Sequence, residues 1–393
     1  MKHGGNIYQF AHSLGCLPGQ VLDFSANINP RQAVTLDCLQ QVQLGPYADP
    51  HYSELKQALQ ERYPGLPGAD IEVFNGASAA IFALLRFLRP DDLVLYAPLY
   101  GEYAHIAGEL GCRLHTIDRF VDPAADVPRG STVIFVNPST PDGRLYDLND
   151  WLDTWQAADC TIIIDESFLD FCLQDVGKGR EHDCMDAGGI PSGAQGAMPG
   201  AIAEERKLCL QDVGKGREQE RKLCENKSVA GHIGHYDKLY LIKSLSKFYG
   251  CAGIRIGFVM ARAPAIEALK RLEPAWKLSS LDMAYMRQAL ANTAFIGQTR
   301  RQTRELRAQL HRALSGCGLF RRIYDGQANF LLAELAVMDG YQLQEKLAPS
   351  RILIRVCDNF AGLTRYHVRF AVKDEQAIAE LARCLNTLSC PGD

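Results

Sequence analysis

The feature that most constrains this chain is a series of short, almost wholly apolar runs separated by helical patterns. "DLVLYAP" (92–98), "STVIFVNP" (131–138), "CTIIIDE" (160–166) and "KLYLIKS" (238–244) are each bounded by polar, Gly or Pro residues. Runs of this length and punctuation read as buried strands. Between them, "SAAIFALLRFLR" (78–89) and "DLNDWLDTWQAA" (147–158) carry apolar residues at helical spacing. The alternation predicts a doubly wound α/β domain with a mainly parallel sheet, whose ligands sit at the carboxyl ends of the strands.

The pattern changes after "APAIEALKRLEP" (263–274). Long helical stretches run to about residue 315, followed by "ANFLLAEL", "RILIRV", "RYHVRFAV" and a last helix, which predicts a smaller α+β C-terminal domain. A chain of 393 residues has room for both units. The expected division is an N-terminal arm and the start of the small domain at 1–40, the large domain at 41–275 and the small domain at 276–393.

One segment departs from this order. "CLQDVGKGRE" stands at 172–181 and again at 209–218, and "ERKLC" at 205–209 and at 220–224. A partial duplication accounts for both, and the Gly/Ala/Pro-rich middle predicts a flexible surface insertion over 172–230. Cys172, Cys184, Cys209 and Cys224 fall inside it, at spacings of no standard ligand pattern. No metal is assigned, although a metal or redox role for the insertion stays open.

Charge and cysteines narrow the function classes. A net charge of -4 with scattered arginines offers no surface for nucleic acid. No window reaches the roughly 18 apolar residues of a membrane helix, and the N-terminus lacks a signal-peptide core, so a soluble cytoplasmic protein is expected. The 13 cysteines are odd in number and form no CxxC pair, which argues for reduced thiols.

Residues with chemistry collect at the predicted strand ends. Asn75, Gly76, Ala77 and Ser78 precede an amphipathic helix, where free backbone N–H groups and a hydroxyl suit a phosphate; an ordinary N-cap is the plainer reading. Tyr100 follows a strand end, placed to stack on a planar ligand or simply to pack. Asn137 ends the second run in a Pro/Gly turn. Asp165 ends the third at a buried position, where a charge needs a partner. "LIKSLSKFYG" (241–250) brings Ser244, Ser246 and Lys247 to the next strand end, with Arg255 eight residues later. A desolvated lysine near other cations has a lowered pKa and forms Schiff bases with aldehydes.

In kind and in order, this set resembles the pyridoxal 5′-phosphate (PLP) enzymes of aminotransferase fold type I. The resemblance implies a large domain with a mainly parallel seven-stranded sheet and a smaller C-terminal domain. It implies that Lys247 bonds the cofactor aldehyde, Asp165 pairs with the pyridine nitrogen, Asn137 bonds the ring 3′-oxygen and Tyr100 stacks on the ring. Gly76, Ala77, Ser78, Ser244, Ser246 and Arg255 would form the rest of the cofactor site. Two departures stand out: Phe168 occupies a position where many relatives carry tyrosine, and the insertion separates Asp165 from Lys247 unusually widely.

"HGGNI" (3–7), "LDFSANINP" (22–30), "DESFLDF" (165–171), "SLSKFYG" (244–250) and "RILIRVCDNFAGL" (351–363) resemble the threonine-phosphate decarboxylases of cobamide biosynthesis more closely. That resemblance implies a phosphoamino acid substrate bound near His3, Gly4, Gly5, Asn6 and Asn29, with Arg355 on its carboxylate. Arg369 is a second anion ligand or a structural ion pair. It also implies a homodimer with Tyr47 reaching the neighbouring cofactor phosphate, and Tyr52 in the same segment. Gln327 stands where an arginine is expected, which leaves O-phospho-L-threonine and O-phospho-L-serine both open as substrates. The alternatives are an aminotransferase acting on histidinol phosphate or a similar phosphorylated amine, and a non-catalytic binding or regulatory protein.

Overall fold

The computed structural model describes residues 4–172 and 228–389. The predicted strands are present and lie in one seven-stranded sheet. Its members are β2 (Ala69–Asn75), β3 (Asp92–Ala97), β4 (Arg113–Asp118), β5 (Thr132–Val136), β6 (Thr161–Asp165), β7 (Leu239–Ser244) and β8 (Ile256–Arg262), in the order β2-β8-β7-β6-β5-β3-β4. β3 to β7 run parallel, and β8 is antiparallel to both of its neighbours.

Period-two packing explains why the central runs carry so few polar residues. Val94, Val133, Ile162, Leu241 and Met260 pack into one apolar cluster, while Leu93, Leu95, Ile134, Ile163, Ile242 and Val259 pack into another. Adjacent residues of a strand point to opposite faces, so both faces of this sheet are covered. One consequence is that residues alternate between the layers right up to the strand ends.

The smaller unit is built on β9 (Phe320–Ile323), β10 (Phe330–Leu335), β12 (Arg355–Val356) and β13 (His367–Ala371), a four-stranded antiparallel sheet ordered β12-β13-β10-β9. The N-terminal arm joins it: β1 (Leu22–Asp23) pairs in parallel with β11 (Ile352–Leu353), and Phe24 lies in the same apolar cluster as Val368 and Phe370. Two helices connect the units, Ser280–Ala291 and the 24-residue Thr293–Gly316. The long helix serves both cores, with Phe295 and Ile296 in the large-sheet cluster and Leu310 and Leu314 in the small-domain cluster.

The insertion expected at 172–230 falls, over 173–227, outside the described residues, and with it Cys184, Cys209 and Cys224. At its return, Ser228 Oγ and the Val229 amide both donate to the buried Glu166 carboxylate, at 2.8 and 2.7 Å. Among the described residues, no helix is long and apolar enough to cross a membrane.

Candidate active site

β6 and β7 are neighbours, so their carboxyl ends set Asp165 and the turn carrying Lys247 side by side. Asp165 is buried and oriented twice: its Oδ2 accepts from the Tyr103 hydroxyl at 2.9 Å and its Oδ1 from the Ser167 amide at 2.8 Å. The Lys247 ammonium lies over the Phe168 ring, 4.2 Å from its centroid. Burial pushes the Lys247 amine down to about 8, against the opposing pull of Asp165, and Arg369 and Arg255 add to the effect. The result is a lysine with a substantial unprotonated fraction just above neutral pH.

The helix Gly76–Leu88 points its N-terminus at the same place, with Ala77 and Ser78 in the cavity wall. No side chain caps this end, since Asn75 makes no cap hydrogen bond. Gly76 is required twice over. Its φ of 80° is one that L side chains rarely adopt, and a Cβ there would run into the Arg255 guanidinium. Arg255 is fixed in turn: its amide donates to Asp282 Oδ1 at 3.1 Å and its Nη1 to the Ala252 carbonyl at 3.1 Å. A guanidinium beside open helix N–H groups is an anion site. Ser78 Oγ lies 3.4 Å from the Tyr100 hydroxyl, which places the Tyr100 ring on the cavity wall.

The cavity enclosed by these groups measures about 270 Å³, and the small domain closes it with Arg355 and Arg369. Arg369 donates to Thr140 Oγ1 at 3.2 Å and to the Ser25 carbonyl at 3.0 Å, while its buried Nε has no partner. Burial and the nearby positive charge of Arg355 push Arg369 down to about 10, with Cys357 and Asp23 opposing. Arg355 donates to Asn359 Oδ1 at 2.6 Å. Two mutually repelling guanidinium groups in one cavity are suited to a dianion.

The model of the class I and II aminotransferases matches residues 19–202 and 211–385. The chain belongs to this family. It is 28% identical to the threonine-phosphate decarboxylase of Salmonella typhimurium, over all of this chain and 98% of that one. It is 24% identical to histidinol-phosphate aminotransferase 1 of Cupriavidus pinatubonensis, over 97% of this chain and 93% of that one. The histidinol-phosphate aminotransferase of Sinorhizobium meliloti, solved in complex with pyridoxal-5'-phosphate, superposes with a TM-score of 0.72 at 16% identity, over 99% of this chain and 95% of that one.

PLP is the cofactor of aminotransferases of this class. The residues present fit it: the bare Gly76 beside Arg255 suits its phosphate, Asp165 a protonated ring nitrogen, and Lys247 its aldehyde. Of the residues that the sequence assigns to this family's site, the fold gathers Gly4, Ala77, Ser78, Tyr100, Asp165, Ser244, Ser246, Lys247, Arg255, Arg355 and Arg369 around one cavity.

Others lie elsewhere. The Asn137 amide is turned toward the chain beyond it, donating to the Tyr146 carbonyl at 3.0 Å and accepting from the Tyr146 amide at 2.9 Å. Thr140, three residues on, is the member of that turn in the cavity wall. Asn29 supports the lysine turn from behind: its side chain donates to the Phe248 carbonyl at 2.8 Å and its amide to the Lys247 carbonyl at 3.0 Å. Asn27 faces the cavity instead, with a buried Oδ1 that has no partner. Gln327 is exposed and accepts from the Leu145 amide at 2.9 Å, outside the cavity wall. Asn6 caps the helix Ile7–Leu14, and Gly5 donates to Ser25 Oγ at 2.7 Å. Tyr47 is exposed and stacks on Trp276, whereas Tyr52 is buried. His3 lies outside the described residues. Thr140, Asn27 and Asp282 have no mark in the sequence beyond their nearness to recognised motifs.

Proposed function

We propose that the protein is a PLP-dependent decarboxylase of an O-phospho-L-amino acid that supplies the linker of the cobamide nucleotide loop. O-phospho-L-threonine would give 1-aminopropan-2-ol phosphate, and O-phospho-L-serine would give ethanolamine phosphate. The observation that carries this reading is the Arg355–Arg369 pair across the cavity from Lys247, a place for a dianionic phosphate on the substrate. The full-length likeness to a threonine-phosphate decarboxylase supports it.

Bound PLP supplies an electron sink for the pair left on the substrate Cα. Asp165, held by Tyr103 and Ser167, would keep a proton on the ring nitrogen. Lys247 Nζ, unprotonated in part near neutral pH, would hold the cofactor through its aldehyde and is the group that could return a proton to the substrate Cα. Arg355 and Arg369 fix the substrate through its phosphate. An arginine on the carboxylate, the role expected of Arg355 from the sequence, would stabilise a charge that must vanish as carbon dioxide leaves. Placing both cations on the phosphate removes that opposition. The same reading includes a cytoplasmic homodimer, with the exposed Tyr47–Trp276 stack at the contact between subunits.

An aminotransferase acting on histidinol phosphate or a similar phosphorylated amine is the second reading, favoured by the relative of that name. The two separate in one assay. PLP-loaded protein is given O-phospho-L-threonine, O-phospho-L-serine, or histidinol phosphate with 2-oxoglutarate, and carbon dioxide and glutamate are followed. Carbon dioxide from a phosphoamino acid is the expected result and ranks the two substrates. Glutamate without carbon dioxide would overturn the decarboxylase.

A further inference from the structure

Behind the cavity lies a buried ion pair that the chemistry above does not use. Arg119 and Asp142 have side chains 1% and 3% exposed and meet in a two-pronged bond, Nη2 to Oδ1 at 2.6 Å and Nη1 to Oδ2 at 3.0 Å. The guanidinium also reaches two backbone carbonyls. Nε and Nη2 reach the Pro98 carbonyl at 3.3 and 3.1 Å, and Nη2 also reaches the Thr140 carbonyl at 3.3 Å. Nη1 further donates to the Tyr146 hydroxyl at 3.2 Å, and Ser139 Oγ donates to Asp142 Oδ1 at 2.8 Å. Arg119 thus grips two turns at once. The turn after β3 carries Tyr100, and the turn after β5 carries Thr140. Neither Arg119 nor Asp142 reaches the cavity, whereas Tyr100 and Thr140 both line it.

A buried ion pair adds little net stability over an apolar pair of similar volume, because two charges are stripped of water to form it. Its distinct property is geometry: a planar fork tolerates few arrangements of its acceptors. We propose that Arg119 and Asp142 are positioning residues that set Thr140 against Arg369, and thereby the anion affinity of the small-domain side of the cavity. Through Thr140 Oγ1, which accepts from Arg369 Nη1, the clip governs where that guanidinium points.

The proposal rests on Arg369 being an anion ligand, and its test reads binding rather than turnover, so it is indifferent to the type of reaction. Inorganic phosphate is titrated into the PLP-loaded enzyme by calorimetry, with thermal melting run alongside. Arg119→Met with Asp142→Thr removes both charges and should melt close to the unmodified protein. It should nevertheless bind phosphate about tenfold more weakly, the scale of one hydrogen bond to a charged group. Thr140→Val should weaken binding comparably, and adding it to the double variant should change nothing further, because both act through one contact. Arg119→Lys, which keeps the charge and loses the fork, should match the double variant and serves if the latter fails to fold. Unchanged phosphate affinity in the Arg119 variants, with binding lost in Arg369→Met, would overturn the clip alone. Retained binding in Arg369→Met would overturn the anion site and the clip with it.

Discussion

Two buried lysines at one strand end have opposite surroundings. Lys243, in β7, lies 3.3 Å from Glu166 and 3.8 Å from Asp170, with its ammonium 4.9 Å from the Tyr63 ring centroid. Lys247, four residues on, has Asp165 as its opposing charge and two arginines working against it. Burial raises Glu166 in spite of Lys243; for Asp170 the same penalty is outweighed by Lys243, Arg62 and Arg300, which hold it below the usual carboxylate range. Both lysines are buried; what differs is the charge around them, two carboxylates at Lys243 against Asp165 and two arginines at Lys247. Adjacent carboxylates on opposite sides of one backbone, Asp165 and Glu166, supply the two environments.

The sharpest break between the lysines comes from removing each in turn. Lys247→Ala is expected to abolish the absorbance of the lysine-bound cofactor and lower turnover on the order of a thousandfold or more, with the protein still folded. Spectra, carbon dioxide release and circular dichroism check this together, and persistent turnover would remove Lys247 from its role. Lys243→Met should do the reverse, destabilising the fold by about 3 to 5 kcal/mol in urea titrations because Glu166 loses its buried counter-charge and Asp170 one of its three. A Lys243→Met protein as stable as the parent would mean that its carboxylates are protonated.

A third experiment uses pH. Between pH 8 and 10.5 the unfolded chain holds a proton on Lys247 that the folded, cofactor-free protein has largely released. Stability should therefore rise with pH across that window, by about 1 to 3 kcal/mol relative to Lys247→Ala measured in parallel. A difference that stays flat or falls would contradict the depressed amine. The smallest effect is expected from Arg255→Met, which removes one of the two cations acting on Lys247. The pH midpoint of lysine labelling in the cofactor-free protein should move upward, toward the ordinary lysine range.

Much of this contrast was legible in the sequence, and what escaped has a common cause. The central strands announced themselves because both faces are buried. Asp165 and Lys247 could be found because each ends such a run. The partners of Lys243 could not, since they depend on which side of the backbone Glu166 and Asp170 face. The same ambiguity explains Asn27 in place of Asn29 and Thr140 in place of Asn137: each choice turns on a few residues within an irregular loop. "RILIRV" announced a strand, but its division into β11 and β12, which pair with different sheets, has no local signature, because the pairing partners lie far away in the chain.

The helix Thr293–Gly316 has a consequence for motion. Its 24 residues extend about 36 Å, anchored in one core near its start and in the other near its end. A free lid would need a loop as its pivot, and here the pivot is a shaft. Long helices curve smoothly and resist sharp folding, so the small domain can roll and flex about that shaft but not swing away from it. Arg355 and Arg369 thus belong to a domain joined to the lysine's core by a continuous helix, and all three residues line one cavity.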